Sequence, residues 1–175
     1  SPDGVTVIAV TKGFPASDIV ALAHIGVTDV GESRDSDARS KKEQVEGAGV
    51  TTLTWHAIGQ VQRNKAASIA HWADLVHSVD RLRLVEAMAA AGVRRDVLIQ
   101  VRAGSSESGS DGRAGAAPAD VSDIADAIDA SSVLRLRGVM VVAEPGEPAR
   151  PQFERVAELW ERLRHGRESV DRSEE

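Results

Sequence analysis

The chain contains no cysteine and no tyrosine. Without thiols it can form neither a disulfide nor a thiolate metal site, and it has no Cys nucleophile. Three Trp and two Phe are the only large aromatic side chains, so the stacking surface of a single-strand nucleic-acid binder is thin. A formal net charge of −6 also disfavours nucleic acid, because phosphate backbones attract basic faces. The short basic pair Lys41-Lys42 sits among acids on what reads as a solvated helix. No apolar stretch approaches the roughly 20 residues of a membrane-crossing helix. Residues 1–4 (SPDG) are polar rather than basic and then apolar, unlike a secretory leader. Neither nucleic acid nor a membrane is an expected partner, and the expected compartment is the cytoplasm. The G-x-S-x-G, H-E-x-x-H, P-loop and G-x-G-x-x-G patterns are also absent.

What is present is an alternation. Short apolar runs at residues 5–10, 29–32, 52–59, 75–79, 97–101 and 134–143 are several of them nearly continuous in Val, Ile and Leu. That is the pattern of parallel strands covered on both faces. Amphipathic helical patterns fill the intervals at 16–25, 35–46, 62–73, 80–91, 119–131 and 150–165. In the last, Phe153, Val156, Ala157, Trp160 and Leu163 recur at offsets of three and four, which predicts a common buried face. Gly26, Gly92 and Gly166 follow helical patterns where a left-handed cap is favoured, and Asp80 is placed to cap the helix after the fourth strand. Six successive β-then-α units predict a parallel sheet, doubly wound or closed as a (β/α) barrel. A complete barrel has about eight units, so the expectation is one domain over residues 1–175 with about six of eight units, apparently cut at both ends. Residues 104–118 (GSSESGSDGRAGAAP) read as a mobile lid or plain disorder.

Lys12 closes the first apolar run, V-T-V-I-A-V-T-K. With period two it shares a face with Thr6, Ile8 and Val10, and in a barrel that position is at the C-terminal mouth, where sites of this architecture sit. An amine there is expected to be partly desolvated, with a nucleophilic lone pair for attack on an aldehyde. The chain has only four lysines, so the placement does not reflect lysine abundance. The ordinary alternative is a strand-end lysine reaching into solvent.

Six segments occur in a particular order: TKGFP after the first strand, GES at 31–33, WHAIGQVQRNK at 55–65, HSVD at 77–80, QV at 100–101 and RGVM at 137–140. Together they resemble the pyridoxal phosphate homeostasis protein family, whose fold is similar to the N-terminal barrel of alanine racemase. The resemblance implies that Lys12 holds pyridoxal 5'-phosphate (PLP) as a Schiff base, and that Ser33, His56, Gly59 and Met140 line the cofactor site. The family commonly has Asn at the position of Ser33; a serine donates the same kind of hydrogen bond over a shorter reach. The resemblance puts His56 and His77 near the cofactor floor, with a hydrogen-bonded core histidine the alternative for His77. A metal on this pair is not expected, for want of further ligands. For Lys65 an anionic ligand or bulk solvent are the alternatives, and for Met140 ordinary core packing.

The resemblance further implies a carrier in vitamin B6 balance with no established turnover, PLP-requiring apoenzymes as partners, and a monomer. The enzyme alternative, a racemase-like activity, needs a second base; in alanine racemase that is a tyrosine from a separate domain, and this chain has none. The family's main phosphate-holding turn lies in a C-terminal stretch that would begin after Ser173-Glu175. Weak cofactor binding, or an incomplete inactive barrel, is the corresponding expectation.

Overall fold

The computed structural model describes residues 4–103 and 114–171, with side chains through residue 167. Residues 104–113 of the Gly- and Ser-rich stretch, for which a lid or disorder was expected, lie outside the described residues. Six parallel strands form one sheet in the order β1-β2-β3-β4-β5-β6: β1 (Ala9–Val10), β2 (Asp29–Glu32), β3 (Thr54–Ala57), β4 (Leu75–Val79), β5 (Arg95–Arg102) and β6 (Leu134–Val142). A doubly wound sheet reverses direction part-way. Strictly sequential order is that of a (β/α) barrel, here an open arc with β1 and β6 at its edges.

The helices α1 (Ala16–His24), α2 (Asp35–Gly47), α3 (Ala66–Trp72), α4 (Leu82–Ala89), α5 (Val121–Asp129) and α6 (Ala149–Asp171) connect or follow the strands. Their buried residues recur at helical spacing: Leu84, Val85 and Met88 in α4, and Val121, Ile124, Ala125 and Ile128 in α5. They pack on one strand face, where Val30, Trp55, Val76, Val97, Ile99 and Val101 are buried. Alternation assigns Val10, Asp29, Gly31, His56, His77, Leu98, Gln100 and Arg102 to the concave inner face.

Several local expectations are corrected. The first strand was expected over 5–10, but only Ala9 and Val10 pair, with Val30 and Gly31. β1 has a single neighbour, and that neighbour begins at Asp29, so earlier residues have no ladder to join. Gly26 and Gly92 do end helices, at φ +96° and +68°, and at Gly26 the Val27 amide closes back on the Leu22 carbonyl at 3.0 Å. Gly166 instead lies inside α6. Asp80 does not cap α4: Arg81 takes the flanking position without a side-chain cap, and its guanidinium holds the Asp80 carboxylate. On α6 the buried face is offset by one residue, through Gln152, Val156, Leu159 and Leu163, leaving Phe153 and Ala157 exposed. The reason is Gln152, fully buried, whose amide brackets the preceding loop: it accepts from the Glu144 amide at 2.8 Å and donates to the Glu144 carbonyl at 3.3 Å.

Candidate functional site

The strand ends of β1, β2 and β3 converge at one rim. After β1 the chain turns at Lys12 and Gly13, closed by the Phe14 amide on the Thr11 carbonyl at 3.1 Å; Gly13 supplies the φ of +85° that a side chain resists. Lys12 is exposed in that turn. The expected partial desolvation is therefore not found, because the turn lifts the residue off the sheet. Lys12 and Ser33 line one cavity of about 190 Å³ together with Gly13, Glu32, Arg34 and Asp37. Sequence reasoning found the first two and missed Arg34, next to Ser33, and Asp37, three residues further on, which approach each other to 3.9 Å.

Gly59 stands beyond β3, and a Cβ there would lie 2.6 Å from the Ser33 carbonyl oxygen and 2.9 Å from its Cβ. Only a glycine lets the β3 end lie this close to Ser33. Its carbonyl accepts from the Ser78 hydroxyl at 2.5 Å, so three successive strand ends are tied at the rim.

Below the rim a polar chain crosses the inner face. His56 is buried, and the Asp29 carboxylate accepts from its Nε2–H at 2.9 Å. The other ring nitrogen, Nδ1, meets His77 Nε2 at 2.9 Å. Burial tends to raise the Asp29 carboxyl, but hydrogen bonds from Thr28 and His56 and the charge of His56 outweigh it and hold it below the usual carboxylate range. Burial, then the neighbouring His56, push His77 down to about 4. His77 is thus neutral at pH 7. Both nitrogens of His56 are engaged, so it offers a ligand no free ring nitrogen. Among the described residues, no group of three or more His, Cys, Asp or Glu is arranged to hold a metal ion. Of the hydrogen-bonded core histidine expected as the alternative for His77, the hydrogen bond is present, but the side chain is half-buried at the inner face rather than in the core.

Met140 is half-buried on β6 and pairs in register with Gln100. One extra residue on β6, between the Val97–Leu136 and Leu98–Gly138 pairs, brings Gly138, Met140 and Val142 to the inner face. Met140, His56 and Gly59 do not line the Lys12 cavity. Lys65 is half-exposed and lies 3.8 Å from Asp35 at the start of α2, not at that cavity. The solvated reading of Lys41-Lys42 is overturned. Lys41 reaches inward to Glu32 at 2.7 Å and to the Thr11 carbonyl at 2.9 Å. Lys42 donates to the Trp72 carbonyl at 2.9 Å and lies 5.9 Å from the Trp55 ring centre. Their long stems run along the α2 surface and carry the charges under the helix.

The family model of the alanine racemase N-terminal domain matches residues 2–173. The chain belongs to that family. Within the alanine racemase N-terminal domain family, it is 33% identical over 158 residues to the pyridoxal phosphate homeostasis protein of Escherichia coli (strain K12), covering 88% of this chain and 66% of that protein. With the protein of the same name from Mycobacterium leprae (strain TN) it shares 40% identity over 109 residues, covering 55% of this chain and 42% of that protein. The chain thus spans less than half of the mycobacterial protein and about two thirds of the Escherichia coli one. Among solved structures, PipY of Synechococcus elongatus PCC7942 with PLP bound superposes with a TM-score of 0.80 at 28% identity, over 95% of this chain and 77% of PipY. Without PLP the TM-score is 0.83. Alanine racemase of Clostridium difficile 630 shares the fold alone, at 15% identity and a TM-score of 0.66. The fold of this chain is the alanine racemase N-terminal barrel type, with a six-stranded sheet that is not closed.

Proposed function

We propose that this chain is a PLP-binding protein of vitamin B6 homeostasis, with the cofactor held as a Schiff base on Lys12. The observation that carries the reading is that Lys12 and Ser33, on adjacent strand ends, line one cavity in a fold like that of PLP-bound PipY. PLP supplies an aldehyde that condenses with a primary amine and a phosphate that seeks cations and amides. The residues present fit the aldehyde end: Lys12 Nζ is reachable from solvent and would form a C=N bond with the aldehyde carbon, its two hydrogens leaving with the carbonyl oxygen as one water. Ser33 lines the same cavity and would donate its hydroxyl hydrogen to the cofactor there. Arg34 is the second cation of that wall and offers a planar partner for a phosphate oxygen. Gly59 acts indirectly, by letting Ser33 sit where it does. His56, below the rim, and Met140, on the far strand, lie outside that cavity, and in this reading they would meet only a cofactor that extends from it across the inner face.

In this reading the protein works as a cytoplasmic monomer that supplies PLP-requiring apoenzymes. No helix of the described residues is long and apolar enough to cross a membrane. The test is to incubate the purified chain with PLP, reduce with borohydride and map the adduct by peptide mass. Labelling of Lys12, lost in Lys12→Ala with the melting temperature unchanged, is the expected result. Labelling spread evenly over Lys12, Lys41, Lys42 and Lys65 refutes the site. Racemisation or transamination above the free-cofactor rate refutes the carrier assignment in favour of an enzyme.

A further inference from the structure

We propose that the buried Glu32–Lys41 ion pair positions Lys12 and Ser33 for the cofactor, acting through Thr11. The proposal rests on the PLP reading above and adds two residues to which that reading gives no role: Glu32, in the cavity wall, and Lys41 behind it. Glu32 and Thr11 are 1% and 2% exposed, and the Lys41 side chain is 12% exposed. A single carboxylate oxygen, Glu32 Oε1, accepts from Lys41 Nζ at 2.7 Å and from the Thr11 hydroxyl at 2.7 Å. Lys41 Nζ also donates to the Thr11 carbonyl at 2.9 Å, and the Thr11 amide donates to the Gly31 carbonyl at 3.0 Å. Every polar group of Thr11 is therefore held from β2 or α2.

The consequence lies in the sequence neighbours. Lys12 follows Thr11 and Ser33 follows Glu32, on the two strand ends that this network ties together. The Lys12 side chain is itself exposed, so its backbone anchor governs where its amine can reach. A buried ion pair is a poor way to add stability, because desolvation of two charges offsets most of their attraction. What it supplies well is one permitted geometry, with a cation aimed at the carbonyl immediately before Lys12. Glu32 also lines the Lys12 cavity, while Lys41 approaches it from α2 without lining it, so the pair joins the cavity wall to the helix that holds Thr11.

The experiment compares wild type, Lys41→Met and the double variant Glu32→Leu/Lys41→Met, reading melting temperature and PLP affinity by titration with borohydride trapping. Lys41→Met alone leaves Glu32 buried without its cation and is expected to melt earlier. The double variant removes both charges and is expected to regain the wild-type melting temperature. Its affinity for PLP is nevertheless expected to fall by about tenfold or more, since small displacements of a reacting group cost that much. The pH at which half of Lys12 is trapped should also move, which a purely structural pair would leave in place. Wild-type affinity in the double variant overturns the proposal. So does a double variant that stays destabilised, because the pair would then be a structural element. A wild-type chain with no Lys12 adduct refutes the PLP reading and this proposal with it, whereas equal adducts in wild type and double variant refute the positioning role alone.

Discussion

The two faces of the sheet differ in kind. On the helix-facing side Val30, Val76, Val97 and Ile99 are wholly buried and Trp55 is 2% exposed. On the inner side Val10 is 49% exposed and Val142 66%, and between these edges lie Asp29, His56, His77, Gln100 and Arg102. The first face is continuous because helices cover it. The second is a concave arc with polar groups at its centre and apolar ones at its edges. The apolar core therefore resides on one face, and the polar side chains gather on the other and at the rim where they meet.

The sharpest break of this contrast is a pair of substitutions, one on each face. Trp55→Ala removes a buried indole and is expected to cost roughly 3–5 kcal/mol, whereas Val142→Ala, on the exposed inner edge, should stay within about 0.5 kcal/mol. Urea titration of both measures the difference; similar losses would mean that the inner face is as packed as the outer. Gly59→Ala acts at the rim. Its methyl would meet the Ser33 backbone at 2.6 Å, and overpacking of this kind costs about 1–3 kcal/mol. Because Ser33 must move, PLP trapping on Lys12 should fall together with the melting temperature.

The smallest effect is one of pH. His77 is pushed from 6.5 down to about 4 in the fold, so between those values the unfolded chain binds the extra proton. Stability is then fully present above pH 6.5 and is lost as the pH falls toward 4. The depressed Asp29 carboxyl acts in the same direction at lower pH. Melting temperatures of wild type and His77→Gln across this range give the check, with the slope between pH 6.5 and 4 flatter in the variant. Equal slopes would place the titrating group elsewhere.

Much of the fold is legible in the sequence, because βα alternation is written in local periodicity. Asp29–Glu32 and Leu75–Val79 appear where the apolar runs stand. The failures have a common cause. Val5 and Val7 have strand-forming side chains but no neighbouring strand, and β-structure exists only where a partner completes the ladder. Phe153 has the hydropathy of a core residue, yet the need to satisfy a loop through Gln152 turns α6 by one position. In the cavity, Lys12 was visible from its place after an apolar run and Ser33 only through the family resemblance, while Arg34 and Asp37 were passed over. Lys41 was misread because charge on a helix usually means solvent. The available signal was Glu32, an acid ending an apolar run, which needs a cation once it is buried.

The sequence by itself determined that six βα units follow one another and that Lys12 stands just after the first strand, since both depend on residues adjacent in the chain. Only the tertiary structure decided that the strands lie in sequential order, that Gly59 presses on Ser33, and that Lys41 reaches under the turn carrying Lys12. Those facts depend on register between strands 20 or more residues apart. Pairing across such distances is chosen by the packing of the whole sheet, which no local pattern encodes.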